Sequence, residues 1–386
     1  MPVFRLRTIL FVCLPCVFQS FFALINQVQA QAQMDIKGLH FLGGYEIPFG
    51  YRFKNTTVGG LSGIDYDAVN KRYYLISDDK GAVNAARFYT TAIFITPKGI
   101  DSVRFTGVTN LLQANGQQYL TGKTGSPHPP DPEAIRYNPL TKTLTWSSEG
   151  ERIINNTNNI LQDPAVNNIS LKGKYVNSFL LPDNFKVQAT EKGSRQNGSL
   201  EGLTFADNYT KLFISSEEPL YEDGPRAGIG DNNAFIRIAQ LNVADRMPAK
   251  QFAYKLEPVA HSPYPANAFM LNGVTDVLSI GKNKLLVVER SFSSGRLACT
   301  VKLFIADLSK ATDIKTISSL KTDTAFVAAT KKLLLNMDDL GIFTDNIEGV
   351  TRGPILPNGH KTLLFIADNN FNPLAKSQLL LFEVLE

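Results

Sequence analysis

One short segment recurs along this chain: an acidic residue, a glycine and an aliphatic residue, followed each time by a turn, a basic residue and a second apolar run. Five copies can be laid end to end. They are GGLSGIDYDAVNKRYYLISDD (59–79), DPEAIRYNPLTKTLTWSSEGE (131–151), SLEGLTFADNYTKLFISSEEP (199–219), NGVTDVLSIGKNKLLVVERSF (272–292) and NIEGVTRGPILPNGHKTLLFIADNNF (346–371). With Ser62, Glu133, Glu201, Asp276 and Glu348 taken as equivalent, the steps are 71, 68, 75 and 72 residues. A unit this small cannot bury its own apolar runs, so the copies must pack on one another around a shared core.

Within each copy, two short apolar runs flank a turn rich in Asp, Asn, Pro, Gly and Lys, such as YDAVNKR or SIGKNK, which predicts a β-hairpin. Two more strand-like runs follow the first four hairpins, for example FYTTAIFIT and DSVRFTGV after the first. Four strands make a propeller blade, so the chain is expected to be all-β, a β-propeller of five four-stranded blades. The fifth copy has only QLLLFEVLE after its hairpin, while IKGLHFLGGYEIPF stands unassigned ahead of the first. If that N-terminal strand completes the last blade, the ring closes and no sheet edge is left open. An open β-solenoid, two sandwiches or a sixth blade in the irregular stretches would also accommodate the repeat. The segment ATKKLLLNMDDLG, with Lys331 and Lys332, reads as an inserted amphipathic helix ended by Gly341.

Arg5 and Arg7 precede an apolar run from Ile9 to Ile25, too short and too interrupted for a membrane span, which predicts a cleaved signal peptide over 1–32. The remainder, 33–386, reads as a single domain, because its Pro-rich and Asn-rich segments all fall between strands. Cleavage removes Cys13 and Cys16 and leaves Cys299, so no intramolecular disulfide can form and the core must hold the fold. Cys299 itself reads as a small buried hydrophobe. The expected location is secreted or periplasmic. The formal charge of +4 falls to +2 once Arg5 and Arg7 are gone, which points to no nucleic-acid partner and no anionic membrane surface.

In an antiparallel hairpin, the start of the first strand and the end of the second share one edge of the sheet. That edge collects Glu133, Glu201, Asp276 and Glu348, with Ser62, and opposite them Asp78 and Asp79, Glu149 and Glu151, Glu217 and Glu218, Glu289 and Arg290, Asp368 and Asn369. If the hairpins are innermost, both sets converge on one mouth of the central channel. So many carboxylates cannot all stay ionised without bound cations or neighbouring arginines. Oxygen-only ligands suit Ca²⁺, then Mg²⁺ or Mn²⁺, and His40, His128, His261 and His360 share no repeat position, which argues against zinc. Structural acids tying loop amides and arginines between blades are the plain alternative. Asp67 and Asn138, at the other edge, read as turn residues. GGLSG is not a nucleophile elbow, so Ser62 is not a candidate nucleophile.

At these same segments the chain resembles the phytase-like esterase family, repeat proteins described by an "esterase-like activity of phytase" and grouped with the β-propellers. The resemblance covers nearly all of 33–386. Its most specific parts are GGLSGIDYD with YYLISDD, PDPEAIRY, SLEGLTF with ISSEEPLYEDGP, and DNIEGVTRGPILPNGHKTLLFIADNNFNP. By position, the family's acidic pattern maps onto Asp78, Asp79, Glu133, Glu149, Glu201, Glu217, Glu348 and Asp368. The fourth copy departs from it, with GVTDV for the acidic-Gly start and Glu289-Arg290 for an acidic pair, which implies an asymmetric site.

The expectation is therefore an exported metal-dependent hydrolase acting on a small anionic phosphate ester. Asp78, Asp79, Glu149, Glu217 and Asp368 are its candidate metal ligands, and Glu133, Glu201 and Glu348 its candidate catalytic acids. Arg290 and Arg352 are candidate phosphate contacts. The long polar loops 110–130 and 150–172 support a different expectation, a non-catalytic exported propeller that holds a carbohydrate, peptide or envelope partner.

Overall fold

Both faces of every repeat are covered by its neighbours, so the inner strands are buried along almost their whole length rather than on alternate residues. The structure, a computed structural model, describes residues 33–122, 129–155 and 159–386. The expected signal peptide over 1–32 lies outside the described residues.

Five four-stranded antiparallel sheets form the molecule. Blade 1 comprises Leu61–Asp67, Arg72–Ser77, Arg87–Thr96 and Gly99–Asn110, from the channel outward. Blade 2 comprises Pro132–Asn138, Thr143–Ser148, Ala165–Ser170 and Tyr175–Phe179. Blade 3 comprises Leu200–Ala206, Lys211–Ser216, Phe235–Asn242 and Pro248–Lys255. Blade 4 comprises Met270–Gly281, Lys284–Ser293, Thr300–Asp307 and Thr330–Asn336.

Blade 5 comprises Asn346–Arg352, Thr362–Asp368 and Ser377–Leu385, and its outermost strand is Gly38–Ile47 from the N-terminal side. That strand pairs antiparallel with Ser377–Leu385, from Gly38 opposite Leu385 to Ile47 opposite Ser377. The closure read from the sequence is thus present, and the molecule is a five-bladed β-propeller. The solenoid, sandwich and six-blade alternatives fall away.

Five apolar clusters fill the five gaps between blades. Tyr74 and Ile76 meet Ile135 and Trp146 between blades 1 and 2, and Val166 and Phe179 meet Leu203 and Ile214 between blades 2 and 3. Ile236 and Tyr254 meet Val274 and Val287 between blades 3 and 4, and Leu286 and Val301 meet Leu363 and Phe382 between blades 4 and 5. Leu61 and Leu75 meet Ile366 and Leu381 across the closing gap. Each fully buried side chain of this kind contributes about 1.5–3 kcal/mol, so the ring needs no covalent staple. Cys299 is buried, as expected of a small hydrophobe.

The sequence reading of ATKKLLLNMDDLG is corrected. Thr330–Asn336 is the outer strand of blade 4, paired with Thr300–Asp307, and only Met337–Leu340 turns, as a short 3₁₀ helix. Blade 4 would otherwise present an open edge, and tertiary pairing overrides the local helical pattern. Lys331 then reaches Glu289 at 2.7 Å and Glu257 at 2.9 Å. Gly341 does end the segment, in the left-handed conformation at φ 66°.

Candidate functional site

The acidic-Gly motif is a β-bulge. The pairing register slips between Leu61 and Gly63, between Leu200 and Gly202, between Val274 and Asp276, and between Ile347 and Gly349. In blade 2 the slip lies between Pro132 and Ile135. The residue out of register is Ser62, Glu201, Thr275 or Glu348, with Glu133 in the blade 2 slip, and a bulge re-aims a side chain in this way. The glycine follows because the next blade leaves no room: a Cβ on Gly63 would stand 2.5 Å from the Glu133 carbonyl oxygen, and one on Gly202 would stand 3.0 Å from the Val277 nitrogen.

The fourth repeat therefore has Thr275, not Asp276, in the place of Glu201. Asp276 takes the glycine's place and turns into the channel. There it accepts two bonds from Arg136 Nη2, at 2.6 and 2.8 Å, and amide bonds from Val277 and Val350 at 2.8 Å. At the end of the second strand the five equivalents are Asp78, Glu149, Glu217, Arg290 and Asp368, so blade 4 presents an arginine where the others present a carboxylate.

A cavity of about 540 Å³ opens at this end of the channel, lined by Asp78, Glu133, Glu149, Glu201, Glu217, Glu348 and Arg290 among others. Asp368 lies buried beside it, close enough to Asp78 and Glu348 for their charges to act on it. Eight of the ten candidate residues are thus brought together. Asp79 is placed elsewhere: its carboxylate accepts from Arg87 Nη1 at 2.7 Å and from the amides of Val83 and Asn84, a buried structural pair. Arg352 is placed elsewhere too, lining a second cavity with Asp65, Tyr66 and Arg136 and donating to the Ser279 carbonyl at 2.8 Å. The ion pair of Arg136 and Asp276 lies within the channel, and among the described residues none lines both cavities.

Sequence reasoning passed over Asp131 and Lys80, which contact each other at the rim of the acidic cavity. The available signal was Asp131 standing two residues before Glu133 in DPEAIRY. Ser62 stitches blades instead of attacking anything, donating to the Glu133 carbonyl at 2.8 Å. Asp67 accepts from the Asn70 amide and Asn138 from the Leu140 amide, the turn roles expected of them.

Burial, and then neighbouring carboxylates, dominate the electrostatics. Burial and Glu201 push Glu133 well above the usual carboxylate range; burial with Asp131 and Glu217 does the same to Glu149. Burial with Glu149 and Glu217 raises Glu201, and burial with Glu348 raises Asp78. Glu217 and Glu348 are pushed up by burial only to about 7, because Arg290 opposes the shift. Arg290 donates to Glu217 at 2.7 Å and stands 3.8 Å from Glu348. Burial alone would weaken its charge, but Glu217 and Glu348 outweigh that and hold it protonated.

Two sets of oxygens stand close enough to hold a metal ion: Asp131, Glu133 and Glu149, and again Glu149, Glu201 and Glu217, with the ligand atoms of each set within 4.8 Å of one another. Glu149 belongs to both. The donors are all carboxylate oxygens, the chemistry of a hard divalent cation. Unmet bonding capacity fits the same group. Glu348 Oε2 is buried without a hydrogen-bond partner, and Asp368, with only the Asn370 amide near it, makes no well-formed hydrogen bond through either oxygen.

Among solved structures, an endo-arabinase from Bacteroides thetaiotaomicron is similar at 10% identity and a TM-score of 0.43, covering 89% of this chain and 97% of its own. An endo-1,4-beta-xylanase from the same organism is similar at 10% identity and a TM-score of 0.43, covering 83% of this chain and 90% of its own. Likenesses of that size carry no functional argument. No protein of curated function matches the chain. Residues 56–371 match the family model described as "Phytase-like: Esterase-like activity of phytase", and with its five bulged blades and acidic channel mouth the chain belongs to the phytase-like family.

Proposed function

We propose that the protein is an exported, metal-dependent hydrolase of phosphate esters. One observation carries this reading: two carboxylate sets sharing Glu149 face an arginine, Arg290, within a single cavity. Asp131, Glu133, Glu149, Glu201 and Glu217 would hold the ion, and their all-oxygen set favours Ca²⁺, then Mg²⁺ or Mn²⁺. A bound cation would supply the positive field that an anionic ester needs in a mouth that otherwise repels it, and would make a bound water more acidic.

The chain's own residues do the rest. Arg290 keeps Nε buried and unpartnered while its Nη2 is held by Glu217, which leaves Nε–H for a phosphate oxygen. Glu348, pushed up to about 7 with Oε2 unpartnered, can take or give a proton near neutral pH. Asp79 and Arg352 take no part in this reading, since neither faces the acidic cavity.

The test is hydrolysis of 4-nitrophenyl phosphate and bis(4-nitrophenyl) phosphate, with Ca²⁺, Mg²⁺ or Mn²⁺ and again with chelator. Metal-dependent turnover lost in Glu201→Gln supports the reading. No turnover of either ester with any of the three ions overturns it and favours the non-catalytic binding module instead. Export rests on the apolar N-terminal run, and sequencing the mature N-terminus should find cleavage near residue 32.

A further inference from the structure

The acidic cavity has two unlike halves. Blades 1 to 3 give it six of its eight carboxylates, whereas blades 4 and 5 give it an apolar wall of Phe269, Leu271, Phe292, Leu297 and Leu374 beside Glu348, Asp345, Arg290 and Arg296. Leu271 is buried at 6% exposure, but Phe269 is 55% exposed, Leu297 74% and Leu374 73%. Exposed apolar side chains scattered singly are ordinary; three converging on one cavity beside a carboxylate cluster form a patch that favours an apolar partner. The rings of Phe269 and Phe292 stand 6.0 Å apart and make one continuous surface.

Resting on the phosphate-ester reading above, we propose that this site takes esters with a single phosphate and an apolar organic group, an aryl ring or an alkyl chain. Polyphosphorylated polyols are poor substrates for it. Charge decides against the polyols first. The cavity is lined by eight carboxylates and three cationic side chains, and Lys80 and Arg290 are already engaged by Asp131 and by Glu217. Even with an ion in each of the two carboxylate sets and with Arg296 unpaired among the described residues, most of the positive charge is taken up by the eight carboxylates, so every phosphate after the first meets like charge. Solvation decides second. A polyol's hydroxyls laid on the wall would lose water without gaining partners, whereas an alkyl chain there gains affinity, up to about fourfold per buried methylene. The phosphate sits at the carboxylate half and Arg290, and the organic group extends over Phe269 and Leu297.

Hydrolysis of methyl 4-nitrophenyl phosphate and hexyl 4-nitrophenyl phosphate tests this, because both lose the same leaving group and differ only in the alkyl chain. Phosphate release from inositol hexakisphosphate is measured beside them, all with Ca²⁺. The hexyl ester should exceed the methyl ester in kcat/KM by about tenfold or more, mainly through KM, which is a fraction of the full methylene gain. Inositol hexakisphosphate should fall about a hundredfold or more below the hexyl ester. In the double variant Phe269→Ala, Leu297→Ser, which changes two side chains that are 55% and 74% exposed, the hexyl-to-methyl ratio should drop below about threefold. Calorimetric binding of hexylphosphonate and methylphosphonate to the Ca²⁺-loaded protein should follow the same order without turnover. A wild-type ratio near one, a ratio unchanged in the double variant, or preference for inositol hexakisphosphate overturns the substrate class and leaves the hydrolase reading standing. No turnover of any of the three, nor of the two 4-nitrophenyl esters above with Ca²⁺, Mg²⁺ or Mn²⁺, overturns the hydrolase reading itself.

Discussion

Glu201 is costly to the fold when alone and useful once compensated. It is 7% exposed, out of register on its bulge, and burial and its carboxylate neighbours oppose its charge. A cation that binds only the folded ring stabilises it by about 2.7 kcal/mol at a hundredfold excess over Kd. Glu201→Gln should therefore leave the chelated protein as stable as wild type or slightly more so, and should lose much of the gain that Ca²⁺ brings. Asp67→Asn should show neither effect, because Asp67 holds the turn at Asn70 and pairs with Arg72 away from the acidic cavity. Thermal melts of the three proteins with chelator and with millimolar Ca²⁺ check this; equal shifts in all of them would make the inner acids structural.

The same residues set a pH dependence. Glu217 and Glu348 rise from the ordinary glutamate value of 4.5 to about 7 in the folded protein. Between those values the folded state binds more protons than the unfolded one, so stability present at low pH is lost as pH rises. Without cation, the melting temperature should fall as pH rises from 4.5 through 7, and Glu133, Glu149, Glu201 and Asp78, which are also pushed up, act in the same direction. Ca²⁺ should flatten that fall, since it binds the ionised carboxylates, and melts across the range in both conditions measure it.

At the scale of elements, the glycines of the bulges in blades 1, 3 and 5 matter as much as the residues before them. A Cβ at Gly63 would stand 2.5 Å from the carbonyl oxygen of Glu133 and 2.9 Å from the nitrogen of Ile135, backbone atoms that cannot swing away. Gly63→Ala should cost about 1–3 kcal/mol by overpacking, and should weaken Ca²⁺ binding because it displaces the strand that carries Glu133. Denaturant unfolding and a Ca²⁺ titration measure the two effects. The closing strand is a second such element. Deleting 33–47 unpairs Ser377–Leu385 and uncovers the buried Leu380, Phe382 and Val384, so the truncated chain should aggregate or melt well below the intact one, read by light scattering and thermal melts.

Across the whole molecule, one ion pair ties the ring together. Arg136 of blade 2 binds Asp276 of blade 4 and donates to the Ile64 carbonyl of blade 1 at 2.9 Å. Asp276 accepts from the Leu203 amide of blade 3 at 3.4 Å and the Val350 amide of blade 5 at 2.8 Å. All five blades thus meet at two side chains. Asp276→Ala should strand a buried guanidinium and cost about 3–5 kcal/mol, seen as a large drop in melting temperature with or without Ca²⁺. That insensitivity to metal separates Asp276 from Glu201, with which the repeat spacing had grouped it.

The repeat, the four-stranded blade and most of the acids at the mouth were legible along the chain, and closure by the N-terminal strand was legible as one of several arrangements until its pairing with Ser377–Leu385 chose among them. These depend on local alternation of apolar runs and turns and on a period near seventy residues, both of which are written along the chain. Tertiary structure decided the rest. A one-residue difference in bulge register sends Asp276 into the channel and leaves Thr275 at the mouth, and spacing alone cannot resolve a single residue. Arg352 went to the opposite cavity because it ends its strand at the far edge, and Asp79 turned to Arg87 because a buried carboxylate takes the nearest guanidinium. Thr330–Asn336 became a strand because an unpaired edge of blade 4 was waiting for it. Such outcomes depend on which neighbour the ring brings close, and that is known only once the ring is closed.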